Sequence, residues 1–344
     1  MNLSLGFPEF ESPGLDLAPR STLEATVARF EAMLADARSP IRAVRHQPAR
    51  DPLLAPIPES VQPSLRSALE KRGIGQLYTH PADALAHSLA GRPPVVVTPT
   101  ASGKTLCYNL PVLNRIVQDA GSRALYLFPT KALAMDQLHG LQALLDDMGS
   151  DIKAFTFDGD TPQDARKAIR QRANIVLSNP DMLHAGILPH HTKWAKLFEN
   201  LRFIVIDELH YYRGVYGSHL ANVLRRVRRI CESYGSKPQF VCSSATIANP
   251  KELAEQLTAE PFELVDRNGA PSGEKWFVFY NPPVVNQALG IRRSYLSETR
   301  RIAIEFLEQD LQTLVFANNR LAMEVLLTYL KDAFASKPVG PEAV

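Results

Sequence analysis

Cysteine is scarce in this chain of 344 residues, and the three that occur, Cys107, Cys231 and Cys242, stand far apart with no Cys-x-x-Cys pair among them. That spacing excludes a disulfide framework or a zinc site built on cysteines, and it fits a reducing, cytoplasmic setting. Long apolar runs are missing too: nothing approaches the roughly 20 apolar residues that a membrane-spanning helix needs. The opening MNLSLGFPEFESPGLDLAPR has neither a basic stretch nor a continuous apolar core of a secretory leader, so no membrane partner is expected. Nor does one sign of charge dominate. Lys and Arg total 38 against 36 Asp and Glu, a formal +2, so a nucleic-acid partner would have to be met by a local basic surface. No internal repeat is present.

What remains is ordinary globular composition, 45% hydrophobic and 22% charged, enough for one large domain or two modest ones. After twenty residues without periodicity, STLEATVARFEAMLADAR begins with Ser21 and Glu24 in a capping-box pattern and predicts a helix at about 22–38. SPIRAVRHQPARDPLLAPIPESVQP is Pro-rich and reads as an irregular linker. Residues 1–60 are thus expected to be an extension ahead of the main domain.

From about residue 65, helical patterns alternate with the short β-branched runs PPVVV, RALYLF, IKAFTF, ANIVL, LRFIVI and PQFVC. Such alternation predicts an α/β fold, a parallel sheet with helices on both faces. Each run is followed by polar, turn-forming residues, and ligands of open α/β sheets bind at the carboxyl ends of the strands. ELVDRNGAPSGEK has no pattern, and further strands are expected in KWFVFYN and QTLVFAN. A domain boundary is therefore placed near 265, giving a first domain at 61–265 and the start of a second at 266–344.

Two stretches carry chemistry. In VVVTPTASGKTLCYNLPVL, Gly103, Lys104 and Thr105 stand at a strand-to-helix junction. Backbone N–H groups and a helix N-terminus there suit phosphate oxygens, a lysine suits the β/γ-phosphates, and a hydroxyl suits Mg²⁺. Thr98 occupies the place where such a loop usually has its first glycine. In FIVIDELH, Asp207 and Glu208 follow a buried strand; Asp207 can hold Mg²⁺ through water and Glu208 can orient or deprotonate an attacking water. Taken alone, the tripeptide could be a plain turn and the acids could be helix caps. In GSHLANVLRRVRRICESYGS, Leu220, Val223, Leu224, Val227, Ile230 and Cys231 share a helical face. The arginines opposite read first as a solvated face and second as a DNA-facing patch.

In order, Thr-Ala-Ser-Gly-Lys-Thr, Pro-Thr-Lys-Ala-Leu-Ala, Ser-Asn-Pro-Asp-Met-Leu-His, Asp-Glu-Leu-His and Ser-Ala-Thr-Ile-Ala-Asn-Pro resemble motifs I, Ia, Ib, II and III of superfamily 2 DEAD/DEAH-box helicases. LYLFPTKALAMDQ, FDGDTP, DELHYYRGVYGSHLANVLRRVRRIC and GAPSGEKWFVFYNPP resemble the bacterial mitomycin-repair helicases and their fungal RecQ-like relatives. The resemblance runs over about 60–335 and implies two RecA-like domains of the P-loop NTPase class, the second incomplete. It implies an ATP-dependent DNA helicase or translocase, moving 3′ to 5′ and serving DNA repair, with ATP and Mg²⁺ as substrate and cofactor. Single-stranded or partly duplex DNA is the implied partner, and a nuclease partner is compatible.

By the same resemblance, Thr100, Ala101, Ser102, Gly103, Lys104 and Thr105 bind nucleotide, Thr105 and Asp207 hold Mg²⁺, and Lys104, Asp207 and Glu208 serve hydrolysis. His210, Ser244 and Thr246 couple hydrolysis to domain movement, and Pro129, Thr130, Lys131, Asn179 and Pro180 follow the DNA backbone. Thr98 is within what this superfamily accepts. Pro81 stands where the family has an adenine-reading glutamine, which implies weaker base selection unless Gln76 substitutes. Motifs V and VI, with their arginine fingers, are expected to be missing, so the chain reads as the front part of a longer protein, weak or inactive alone. An RNA helicase and a non-hydrolysing ATP-dependent nucleic-acid binder remain the alternatives.

Overall fold

The computed structural model describes residues 21–36 and 39–335. It divides into two compact units, one of residues 50–272 and one that joins the chain before residue 50 to the chain after residue 272. The first twenty residues lie outside the described ones.

In the larger unit, β1 (Pro94–Val97), β2 (Arg123–Leu127), β3 (Ala154–Thr156), β4 (Ile175–Ser178), β5 (Leu201–Ile206), β6 (Gln239–Ser244) and β7 (Glu263–Val265) form one sheet. Its order is β7-β1-β6-β5-β2-β4-β3, and each neighbouring pair is parallel. The β-branched runs become strands because their side chains alternate between two apolar layers. Val95, Val97, Ile204, Ile206 and Cys242 join Leu220, Leu224 and Leu257 on one side. Ala124, Tyr126, Phe203, Val205 and Val241 join Leu110, Leu113, Leu138 and Leu141 on the other. Each Val or Leu so buried contributes about 1.5–3 kcal/mol over leaving it in water. The six expected runs are all strands, and helices cover both faces.

Three expectations fail. The segment read as an irregular linker contains two strands, Ile41–Gln47 and Leu54–Pro56. Both are short or exposed edge pairings whose partners are remote in sequence, Lys275–Tyr280 and Gln76–Tyr78, so the segment's own pattern carried little signal. Within the patternless ELVDRNGAPSGEK, the first three residues form β7, at the sheet edge beside β1. Conversely, QTLVFAN forms no strand: no described strand lies beside it, and Leu314 and Phe316 are exposed. The N-terminal helix spans Ser21–Met33.

In the smaller unit, Ile41–Gln47 pairs antiparallel with Lys275–Tyr280, as KWFVFYN led one to expect of the latter. Nearby, the helix Tyr295–Leu307 buries Glu298, whose carboxylate accepts from Tyr280, from Arg293 at 3.0 Å and from Arg301 at 3.3 Å. Burial alone would raise the pKa of this carboxyl, but those donors and the Arg301 charge hold it below its ordinary value.

Candidate nucleotide site at the carboxyl edge of the sheet

At the end of β1 the chain turns through Thr98–Gly103 into the helix Lys104–Gln118. Ala101 and Gly103 both take left-handed backbone conformations, φ 58° and 85°, and only glycine does so without strain. Thr98, in the place of the usual glycine, is fully buried, and its hydroxyl lies 2.6 Å from that of Ser102. A side chain there closes the base of the loop. Lys104 folds back over it, donating to Thr98 O at 2.8 Å and Pro99 O at 3.0 Å. Burial lowers the lysine's pKa, partly offset by the charges of Glu208 and Asp207, so the two motifs share one electrostatic neighbourhood.

Beyond β5, Asp207 N–H donates to Leu127 O at 3.0 Å, prolonging the ladder with β2 by one bond. The Asp207 Oδ1 accepts from the Ser243 hydroxyl and, at 2.8 Å, from the Glu208 N–H. Its Oδ2 lies 3.3 Å from Tyr108 OH, which donates to Gln137 Oε1 at 2.9 Å; Thr105 Oγ1 donates to the same oxygen at 3.2 Å. Thr105, Gln137, Tyr108, Asp207 and Ser243 therefore form one polar chain from the loop to β6.

Glu208 has φ 52°, and its side chain makes no cap hydrogen bond to the short turn that follows, so the capping reading has no support. The Glu208 Oε2 lies 3.3 Å from His210 Nδ1, which also receives the Ala245 N–H at 3.3 Å and has Ser244 Oγ at 3.5 Å. Burial and the neighbouring Asp207 raise the Glu208 pKa, against His210 and Lys104. Thr246 is exposed just past this cluster.

Thr105 and Asp207 offer hard oxygen donors, and among the described residues no group of three or more His, Cys, Asp or Glu could hold a metal. Sparse oxygen donors of this kind fit Mg²⁺, which keeps waters and takes ligands from phosphates.

The residues expected along a nucleic-acid backbone follow β2 and β4 at the same edge, with local duties of their own. Thr130 caps the helix Lys131–Asp147 by accepting from Leu133 N–H at 3.2 Å, and Asn179 accepts from Met182 N–H at 2.8 Å ahead of the buried Pro180. Pro129 is half-buried between β2 and that cap. Lys131 is exposed and paired with Asp160 at 2.6 Å.

In the helix Gly214–Ser233, Arg228 donates to Thr258 O at 3.0 Å and Arg226 to His184 Nδ1 at 2.9 Å, while Arg225 and Arg229 are exposed. Pro81 is buried in the first turn of Thr79–Leu89, and Gln76 is exposed in the strand opposite Pro56. Tyr108, Gln137, Ser243 and His80 escaped the sequence reading. Tyr108 and Gln137 lie inside quoted stretches, but nothing in those stretches says which side chains turn inward.

Residues 79–253 match the DEAD/DEAH box helicase family. The chain is 58% identical over 295 residues to the uncharacterized ATP-dependent helicase YprA of Bacillus subtilis, covering 86% of this chain and 39% of that protein. It is 39% identical to the ATP-dependent helicase hrq1 of Schizosaccharomyces pombe, over 81% of this chain and 27% of hrq1. The crystal structure of the DUF1998 helicase MrfA bound to DNA and AMPPNP superposes with a TM-score of 0.84 at 55% identity, over 89% of this chain and 42% of MrfA. The chain thus spans well under half the length of these relatives. Because the matched stretch takes in the loop at 98–105, the acids after β5 and the turn after β6, this chain belongs to the DEAD/DEAH box helicase family.

Proposed function

We propose that this chain carries the ATP-binding part of a DNA helicase or translocase. The observation that carries the reading is the run of close polar contacts from Thr105 through Gln137 and Tyr108 to Asp207, which makes one site of two motifs about 100 residues apart. In it the loop 100–105 would cradle the triphosphate, with Lys104 leaving its carbonyl partners for the β/γ-phosphates. Thr105 and Asp207 would hold Mg²⁺, which when bound neutralises phosphate charge. Glu208, its carboxylate on a strained backbone beside Asp207, would orient and deprotonate the attacking water. His210, Ser244 and Thr246 would pass the state of the site to the turn after β6.

Pro129, Thr130, Lys131, Asn179 and Pro180 would follow a single strand's phosphates without reading bases. The DNA seen with MrfA supports DNA over RNA here. Movement 3′ to 5′, a role in repair, a cytoplasmic location and a RecA-like second domain beginning near residue 266 belong to the same proposal. So does a turnover near background for the 344-residue chain by itself, since finger arginines of motif VI are not among its motifs.

Phosphate release by a full-length protein containing this chain should rise several-fold with single-stranded DNA and much less with RNA; equal stimulation would favour the RNA reading. Lys104→Ala should weaken nucleotide affinity about tenfold or more, as expected for a charge-assisted contact worth roughly 1.5–3 kcal/mol. A fluorescent-nucleotide titration that gives equal affinities would remove Lys104 from the site.

A further inference from the structure

Beneath the phosphate loop lies a histidine that none of these roles uses. His80 is fully buried, and both ring nitrogens are engaged. Its Nε2 lies 2.9 Å from Ser102 O, and Gly269 N–H donates to its Nδ1 across 3.3 Å. A nitrogen that accepts carries no proton, so the Gly269 contact sets the tautomer and leaves Nε2–H to donate to the Ser102 carbonyl.

Both partners matter. Ser102 stands between Ala101 and Gly103, the two left-handed residues of the loop, and such backbone persists only where the surroundings over-determine it. The described chain has no cis peptide bonds. In a planar trans peptide, a Ser102 carbonyl held toward His80 directs the Gly103 N–H to the opposite side, away from the protein interior beneath the loop. Gly269 is itself closely packed: a Cβ there would lie 2.4 Å from Thr79 Oγ1 and 2.7 Å from Leu53 O, and its carbonyl accepts from Leu53 N–H at 2.8 Å. Tyr78 lies nearly parallel to the imidazole, ring centroids 6.0 Å apart. Burial lowers the His80 pKa, as does Lys104, against the Ser102 contact and Asp83, so the neutral ring that this bonding requires is the stable form.

We infer that His80 is a positioning residue of the nucleotide site: by tying the Ser102 carbonyl to the closely packed Gly269 backbone, it keeps the Gly103 N–H turned toward the triphosphate before ligand arrives. The inference rests on the nucleotide reading of the loop.

The test is Mg²⁺-dependent binding of a fluorescent ATP analogue to the 344-residue chain and to three variants, with thermal melts alongside. His80→Phe keeps a ring and loses both bonds. His80→Gln returns an N–H at the Nε2 position facing Ser102, whereas His80→Asn reaches only the Nδ1 position facing Gly269. Affinity should fall about tenfold in His80→Phe, recover to within about threefold in His80→Gln and stay low in His80→Asn, in an order that the melting temperatures do not follow. Wild-type affinity in His80→Phe, or losses in all three that track melting temperature, would overturn the positioning role. No binding by the wild-type chain would overturn the nucleotide reading first and this inference with it.

Discussion

Glu208 concentrates the conflict between folding and function at the scale of one residue. Its pKa is raised by burial first and Asp207 second, so the folded state binds a proton more readily than the unfolded one. A carboxyl shifted that way favours the fold at acid pH and opposes it as pH rises through the folded-state pKa. Glu208→Gln should therefore melt higher than wild type at neutral pH, with a difference that shrinks on acidification. With Glu208 in the proposed role, the same change removes the base, so turnover in a full-length protein containing this chain should fall roughly 10²-fold or more while ATP still binds. Single-turnover kinetics and pH-dependent melts check both, and a variant that melts lower at neutral pH would contradict the destabilising burial of the Glu208 charge. Lys104, Thr105, Asp207 and Glu208 could be singled out in the sequence because each residue type, at its place after a strand, suits the proposed chemistry, and the fold brings them to one edge of the sheet. Tyr108 and Gln137 were not, since a tyrosine on an apolar helix face and a glutamine in a helix look like core and solvent until packing brings Tyr108 to Asp207 and Gln137 to Tyr108 and Thr105.

Among the elements, the helix Gly214–Ser233 is the clearest case of pattern and packing agreeing. Leu220, Val223, Leu224, Val227 and Cys231 are buried as their spacing requires, and Ile230 is half-buried. The arginine face opposite is only partly a solvated one, because Arg228 braces the end of the helix Pro250–Thr258. Gly217 shows where propensity yields to approach: a Cβ there would lie 2.6 Å from Tyr212 O. Alanine gains about 1 kcal/mol over glycine in a helix interior, but overpacking against backbone costs typically 1–3 kcal/mol. Gly217→Ala should thus destabilise the larger unit by up to about 2 kcal/mol, measured by denaturant melts; stabilisation would mean that the turn at Tyr212 shifts freely. Edge strands were the elements hardest to foresee, since half of their side chains face water and their partners are remote.

For the whole molecule, the residues of the proposed nucleotide site, their polar contacts and both apolar layers of the sheet lie within 50–272. A fragment of those residues should fold cooperatively and bind Mg·ATP with an affinity within a few-fold of the full chain. Calorimetry on the fragment checks this, and a non-cooperative melt would make the remaining chain part of the same folding unit.

By itself the sequence determined the α/β class, the six principal strands and the family, because period-two apolar runs, turn residues and phosphate-loop chemistry are local signals. Only the tertiary structure decided that the chain before residue 50 belongs with the chain after 272, that ELV completes the sheet beside β1, that QTLVFAN has no described strand beside it, and that His80 lies between Ser102 O and Gly269 N–H. Each of those depends on which remote segment lies alongside, and antiparallel edge pairing or a buried imidazole between two backbone groups leaves no periodic mark on the residues that form it.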